Sequence, residues 1–161
     1  MIEKFNLLFL TLFNIGKIKY APGTFASIAA CLIFLVLINF FQLIILFIFT
    51  LLIFLYSFIA INTSFNSFDD DDPQEIVVDE LVGQMLPLLA FPVYETLYVL
   101  PLVYYCMASF VFFRIFDIWK PFPINYVDNN VSGALGIMLD DIFAGALTVI
   151  TITIILFFIG G

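Results

Sequence analysis

The sequence predicts an all-α protein that crosses a membrane as a bundle of short helices. Of its 161 residues, 64% are hydrophobic and only 11% are charged, whereas soluble domains carry roughly 25% charged residues. The mean hydropathy is +1.18, so the chain has too little polar surface to cover a globule in water. We expect a single membrane-embedded domain over residues 1–161.

The charge and the missing residue types exclude several classes of function. A net charge of −8 argues against nucleic-acid binding and against a polybasic surface anchor. The chain contains no histidine, which excludes phosphohistidine chemistry, Ser-His triads and His-ligated zinc. Cys31 and Cys106 both lie in apolar stretches and are interpreted as small core residues.

Five spans are predicted, because a bilayer core about 30 Å thick needs roughly 20 apolar residues per helix. The apolar run Phe25–Ile61 is long enough for two helices with a turn near Asn39–Gln42. The block Ile76–Phe113 suggests two more, with a turn near Glu95. The stretch Ile137–Ile159 predicts the last span.

The first sixteen residues, Met1–Gly16, predict a short helix that is interfacial or packed on the bundle, because they are too few to span. A cleaved signal peptide is the alternative. Glu3 in the charged region and the lack of a small-x-small cleavage site count against it.

In this topology all five basic residues fall on one side of the membrane, and the positive-inside rule makes that side cytoplasmic. They are Lys4, Lys17, Lys19, Arg114 and Lys120. The same topology places nearly all of the acidic candidate residues at the cytoplasmic ends of their helices.

The first candidate site is the pair Asp79–Glu80. The segment Asp72–Glu75 has the pattern of a helix start, with Asp72 as N-cap and Pro73 at the first position. The pair would then lie two turns inside an otherwise apolar helix. Ionised groups so near hydrocarbon are costly and mark a function or a partner. The alternative is an interfacial pair wetted by lipid headgroups.

The second candidate site is the pair Asp140–Asp141, near the start of the last span. Small residues, Gly83 for the first pair and Ala144 and Gly145 for the second, follow the acids by one turn. They would let neighbouring helices approach closely. The alternative is simple packing through Gly145, with the acids stabilising a helix N-terminus.

Two pairs of carboxylates that meet would repel each other unless a cation joined them. Oxygen ligands without histidine or cysteine favour magnesium or manganese over zinc. We therefore expect a divalent cation at the place where the two acid pairs meet.

Arg114, Asp117 and Lys120 form the third candidate site, on one face of a helix that ends at Pro121. Arginine and lysine near a metal form a phosphate clamp. Juxtamembrane anchoring together with Trp119 is the equal alternative.

The fourth candidate site is Pro22-Gly23-Thr24. Thr24 suits an N-cap and Gly23 permits close approach of a ligand, so the helix start could hold a phosphate oxygen. An ordinary helix start is the alternative. Asp69–Asp71 are expected in a solvated loop, and Glu95 and Asp128 in a turn and an interfacial loop.

Carboxylate-held metal and a basic clamp suit attack on a phosphate ester at a lipid headgroup. The rival interpretation is a small transporter that uses intramembrane acids. A transporter predicts acids at mid-span and an internal repeat, and the sequence shows neither.

Four segments together resemble the phosphatidylglycerophosphatase A family of bacterial lipid phosphatases. They occur in the family's order and cover the chain from about residue 20 to 150. The segments are Pro22–Thr24, Asp72–Gly83, Phe113–Ile124 and Gly136–Gly145. The entry to the last segment, Ser132–Gly136, matches the family's glycine-rich pattern more loosely.

The resemblance implies magnesium-dependent hydrolysis of phosphatidylglycerophosphate to phosphatidylglycerol and phosphate at the cytoplasmic face of a bacterial inner membrane. Another phosphorylated lipid stays open as the substrate, and the oligomeric state is not predicted. The implied magnesium ligands are Asp79, Glu80, Asp140 and Asp141, with Asp117 as a further catalytic residue. Gly23, Thr24, Arg114 and Lys120 are the implied phosphate-binding residues.

Overall fold

A computed structural model describes residues 2–64, 74–98 and 100–160, and its regular elements are all helices. The all-α prediction is thus confirmed. In chain order the α-helices are α1 (Ile2–Leu10), α2 (Pro22–Leu37), α3 (Leu43–Ser64), α4 (Val78–Leu89), α5 (Phe91–Tyr98), α6 (Leu102–Trp119), α7 (Ile124–Asn130) and α8 (Gly133–Gly160), with a 3₁₀ turn at Ile15–Lys17.

Within the described ranges, three helices are long and apolar enough to cross a membrane. They are α3, α6 and the stretch Gly133–Phe158 of α8. The predicted count of five spans is not confirmed, because α2 has 16 residues and α4 only 12. Helix α2 is apolar throughout and therefore resembles a slightly short span in the sequence, whereas α4 contains Asp79, Glu80 and Gln84 among its apolar residues.

The first predicted turn is confirmed, since α2 ends at Leu37 and α3 begins at Leu43. The second turn was predicted wrongly, because Glu95 lies inside α5. The chain instead breaks at Ala90 and again before Leu102, whose helix has Pro101 as its N-cap. Pro92 starts a helix here because proline is tolerated in a first turn.

Helix α4 begins later than predicted. Asp72 and Pro73, the predicted helix start, lie outside the described residues, while Gln74 and Glu75 form a turn. The helix begins only at Val78, after the β-branched Ile76 and Val77, which favour extended backbone. The acid pair that follows is therefore in the first turn, where the helix dipole favours negative charge.

The last helix starts earlier than predicted, at Gly133 rather than Ile137. Gly133 has a φ of 71°, a left-handed conformation that glycine adopts without steric cost. Because α8 gains a turn at this end, Asp140 and Asp141 lie two turns inside it.

The centre of the bundle is α4, which packs against α8, α2, α3 and α6. A Cβ atom on Gly83 would come within 2.7 Å of the carbonyl oxygen of Asp141, and one on Gly145 within 2.5 Å of the carbonyl oxygen of Gly83. The predicted role of small residues in close packing is thus confirmed. Pro87 has no N–H to offer the Gly83 carbonyl, and this carbonyl faces α8.

Helix α1 is packed on the bundle rather than projecting from it. The amide of Asn6 donates a hydrogen bond of 2.7 Å to Thr63, and the Tyr56 hydroxyl donates one of 2.8 Å to Asn6. The N–H of Val77 donates to the carbonyl of Leu10 at 3.0 Å. The end of α1 therefore holds the segment that leads into α4.

Candidate active site

The two acid pairs and the basic residues of α6 meet in one pocket of about 220 Å³. Every site residue predicted from the sequence lines this pocket except Thr24. The predicted residues that line it are Gly23, Asp79, Glu80, Arg114, Asp117, Lys120, Asp140 and Asp141. We call it the carboxylate pocket.

Three carboxylates form the centre of the pocket. One oxygen from each of Asp79, Glu80 and Asp141 lies within 4.8 Å of the other two. Asp79 is only 9% exposed and Asp141 only 2%. The oxygens Asp79 Oδ1, Glu80 Oε2 and Asp141 Oδ1 are buried, and none has a hydrogen-bond partner among the described residues.

Such an arrangement is unfavourable by itself. A buried acceptor without a partner costs about 1–3 kcal/mol, and neighbouring carboxylates repel each other. A cation would remove both costs, and three hard oxygen donors suit magnesium or a similar divalent ion. The donor set of Asp79, Glu80 and Asp141 therefore fits a metal site.

Asp140 has different partners from Asp141, although the two are adjacent. Its Oδ2 atom accepts a hydrogen bond of 2.8 Å from Lys120 Nζ, and its Oδ1 atom accepts one of 3.0 Å from the N–H of Asp141. Both oxygens are thus engaged within the protein. The structure brings Asp140 to the pocket but not into the three-carboxylate group.

Lys120 ends α6 in a left-handed conformation with a φ of 45°. This conformation directs its side chain between α7 and α8, where the ammonium group forms ion pairs with Asp128 and Asp140. Burial alone would lower the pKa of Lys120, but the hydrogen bonds that it donates to Asp128 and Asp140, together with the negative charge of these carboxylates, outweigh burial and raise the pKa. Lys120 is therefore a permanent positive charge at the pocket.

Asp128 was predicted wrongly as a residue of an interfacial loop. It lies in α7, a helix that the sequence analysis did not predict, and pairs with Lys120. The two residues are eight positions apart and belong to different helices, so no helical spacing indicated their contact.

Arg114 is held from two sides. Its Nη1 atom lies 2.7 Å from Asp117 Oδ2, as expected for residues on one helix face, and 3.4 Å from Ser27 Oγ. Ser27 in turn donates a hydrogen bond of 2.9 Å to the carbonyl of Gly23. Arg114 Nε is buried and has no acceptor among the described residues. The guanidinium group is therefore fixed while one of its donors stays available.

Ser27 was missed by the sequence analysis because it was counted only as a polar interruption of an apolar run. Gly23 lies at the pocket, and its predicted contact with phosphate stays a prediction. A Cβ atom there would overlap the Glu80 carboxylate and lie 3.2 Å from Arg114 Nη1. Only glycine lets the start of α2 approach the pocket so closely.

Thr24 was predicted to be the N-cap of α2, and this prediction is wrong. The helix begins at Pro22, with Ala21 as N-cap, because proline is favoured at the first helical position. The N–H of Thr24 already donates to the carbonyl of Ala21 at 3.0 Å. Thr24 lines an apolar groove beside Arg114 instead of the carboxylate pocket.

Comparison with known proteins identifies one family for this chain. The family model described as Phosphatidylglycerophosphatase A matches residues 8–156. The Phosphatidylglycerophosphatase A of Haemophilus influenzae is 36% identical over 140 residues, which is 87% of this chain and 82% of that protein. The protein of that name from Escherichia coli K12 is 44% identical over 89 residues, 55% of this chain and 45% of its own length.

A third relative carries a different name. A Bacteroides thetaiotaomicron protein named "Putative phosphatidylinositol-3-phosphatase" is 35% identical over 153 residues, which is 92% of this chain and 91% of that protein. No solved structure matches the chain.

The matched region includes every residue that lines the carboxylate pocket. It also contains the four segments on which the resemblance was based. The chain therefore belongs to the phosphatidylglycerophosphatase A family of phosphoric monoester hydrolases.

Proposed function

We propose that this protein removes the terminal phosphate of phosphatidylglycerophosphate, forming phosphatidylglycerol and inorganic phosphate, in a magnesium-dependent reaction. One observation carries the proposal. Three buried carboxylate oxygens without partners face the same pocket as an arginine whose Nε also lacks a partner. A divalent cation and a phosphate group together would satisfy both sets of atoms.

Asp79, Glu80 and Asp141 would hold the metal. When bound, magnesium would neutralise charge on the phosphate and lower the pKa of a bound water. The pocket offers a metal only oxygen ligands, since no histidine and no cysteine lines it.

Arg114 and Lys120 would bind the phosphate oxygens. Asp117 and Ser27 orient the guanidinium group, so Arg114 loses little side-chain entropy on binding. The Lys120 ammonium group has three N–H donors. Asp128 and Asp140 accept from this ammonium group, which leaves a donor for the substrate.

In the reaction, a water oxygen attacks phosphorus as the ester P–O bond to glycerol breaks, and the departing oxygen takes up a proton. The carboxylates next to the phosphate accept the proton of the attacking water. An aspartate nucleophile is the less favoured route, because the free oxygens of Asp79 and Asp141 are those needed as ligands. Phosphate from labelled substrate found on the protein during turnover as a hydroxylamine-labile aspartyl phosphate would support that second route.

The proposed location is the inner membrane of a bacterium, with the carboxylate pocket facing the cytoplasm. Three candidate spans support a membrane protein. The orientation is inferred from the basic residues, because Arg114 and Lys120 lie at the pocket end of α6. Labelling of a Lys120→Cys variant from the periplasmic side of intact cells would contradict this orientation.

A phosphoinositide substrate is the second candidate, and it depends on the printed name of the Bacteroides thetaiotaomicron relative. Both substrates present a phosphate monoester to the same pocket. A panel of phosphatidylglycerophosphate, phosphatidylinositol 3-phosphate and phosphatidic acid would rank them by kcat/KM.

The central experiment measures phosphate release from phosphatidylglycerophosphate by the purified protein in detergent, with magnesium or with EDTA. We expect release only with magnesium, and its loss in Asp141→Asn. Glu95→Gln is the matched control, because Glu95 is an exposed acid on α5 outside the pocket. Undiminished release in EDTA would contradict the metal, and undiminished release in Asp141→Asn would contradict the ligand assignment.

A further inference from the structure

An apolar groove adjoins the carboxylate pocket on the side of α6 that faces α2. Its volume is about 510 Å³, and Arg114 lines both the groove and the pocket. Apart from Arg114 and Thr24, the lining consists of apolar side chains of α6, namely Phe110, Val111, Ile115, Ile118 and Trp119. On α6 this lining extends from Phe110 to Trp119 with Arg114 near its middle, so the one charged side chain of the groove is the predicted phosphate-binding residue.

A second apolar hollow of about 160 Å³ continues the groove away from the pocket. It lies between the same two helices and shares Phe110 with the groove. Cys31 and Leu35 line it from α2, and Val103 and Met107 from α6. The two hollows are continuous, and we call the part from Arg114 to the far end of the second hollow the α2–α6 seam.

The length of the seam matches one leaflet of a bilayer. From Thr24 to Leu35 along α2, and from Arg114 to Val103 along α6, the seam extends about 16 Å at a rise of 1.5 Å per residue. Half of a hydrocarbon core about 30 Å thick is about 15 Å. A lipid with its phosphate at Arg114 could therefore extend one chain along the whole seam.

We propose that the α2–α6 seam binds an acyl chain of the same phosphorylated lipid whose phosphate occupies the carboxylate pocket. This proposal rests on the proposed function and adds a substrate-binding site to it. The occupant is hydrocarbon because the seam beyond Arg114 offers no charged group. An extended polypeptide would leave its backbone polar groups unsatisfied there.

The first test fills the seam with bulky side chains. Val111 and Met107 line it and are 50% and 61% exposed, so tryptophan at either position needs no rearrangement of the core. Leu55→Trp on α3 is the matched control, since Leu55 is 52% exposed and lines neither hollow.

The kinetic measurement compares long-chain phosphatidylglycerophosphate in mixed micelles with its water-soluble deacylated form. Displacing about two methylenes from the seam corresponds to a roughly tenfold rise in KM for the long-chain lipid. We expect this rise in Val111→Trp and Met107→Trp, with unchanged kinetics on the deacylated substrate and in the control. Unchanged KM, or equal losses on both substrates, would overturn the proposal.

A second readout does not depend on hydrolysis. A phosphatidic acid with a diazirine near the end of one acyl chain is photo-crosslinked to the wild-type protein in nanodiscs. Crosslinks concentrated on residues 28–35 and 103–110 would support the seam, and crosslinks spread equally over α3 would overturn it. If no lipid phosphate is released, the proposed function fails, and the crosslinks still decide whether the seam binds a chain.

Discussion

Replacing Asp141 by asparagine should stabilise the metal-free protein. Asp141 Oδ1 is buried without a partner, and its carboxylate lies within 4.8 Å of ligand oxygens of Asp79 and Glu80. Two unit charges at that distance repel each other by about 3.5 kcal/mol at an effective dielectric constant near 20. Proton uptake by the group relieves part of this repulsion, so we expect Asp141→Asn to gain about 1–3 kcal/mol in EDTA. For a chain of this size the gain raises the Tm by roughly 2–10 °C.

Magnesium should reverse the order of stability. A ligand that binds only the folded state at 100 times its Kd adds about 2.7 kcal/mol to the free energy of unfolding. The wild type should gain this amount, whereas Asp141→Asn should gain little because one of its three carboxylate ligands is gone. Thermal unfolding in detergent, followed by circular dichroism in EDTA and in magnesium, measures both effects without any enzymatic assay.

Asp140→Asn is the matched control, because it removes the same charge from the adjacent residue. Asp140 pairs with Lys120 at 2.8 Å with both side chains partly buried. Its loss should lower stability by about 1 kcal/mol in either condition and should leave the magnesium response intact. The reasoning fails if Asp141→Asn is less stable than the wild type in EDTA, or if magnesium still stabilises it as strongly as Asp140→Asn.

Three further substitutions test the geometry around the pocket. Gly83→Ala places a methyl group 2.7 Å from the Asp141 carbonyl oxygen. The overpacking costs about 1–3 kcal/mol, which exceeds the gain of about 1 kcal/mol in helix propensity. The Tm should therefore fall, and phosphate release should fall with it. Gly23→Ala overlaps the Glu80 carboxylate, which is the end of a flexible side chain that can turn aside, so kcat should fall at least about tenfold while Tm changes less than in Gly83→Ala. A normal kcat would show that the helix start can move away. Arg114→Lys keeps the charge but loses the planar fork held by Asp117, so KM should rise about tenfold or more while the unfolding curve stays unchanged; an unaltered KM would remove Arg114 from the phosphate site.

The meeting of the acids and bases could be predicted from the sequence, because it depends only on helix order. When two consecutive helices form a hairpin, the first residues of one and the last residues of the other lie on the same side of the membrane. Asp79, Arg114 and Asp141 therefore had to lie near one membrane face once the hairpins were assigned. The inference used two hairpins of spans, and although α4 is too short to be confirmed as a span, the chain still leaves the pocket along α4 and returns to it at the end of α6.

The difference between Asp140 and Asp141 could not be predicted. Adjacent helical residues point about 100° apart, so only one of them can face α4. The close contact of Gly145 with Gly83 fixes the rotation of α8 and selects Asp141. Nothing in the composition around the pair determines this rotation.

The span count failed for a related reason. Most of the 12 residues of helix α4 are buried, and several neighbouring helices rather than lipid bury them. Hydropathy does not distinguish burial against neighbouring helices from burial in a bilayer. The contact between Lys120 and Asp128 was equally invisible, since it depends on how α7 folds back after Pro123.

The hydrogen bond that the N–H of Val77 donates to the carbonyl of Leu10 links helix α1 to the carboxylate pocket. Leu10 is fully buried, and the backbone at Val77 that bonds to it leads directly to Asp79. Helix α1 therefore supports the backbone that leads to Asp79 and Glu80, as well as covering apolar surface. Substitution of its inward-facing side chains should therefore alter phosphate binding, although no residue of that helix lines the pocket.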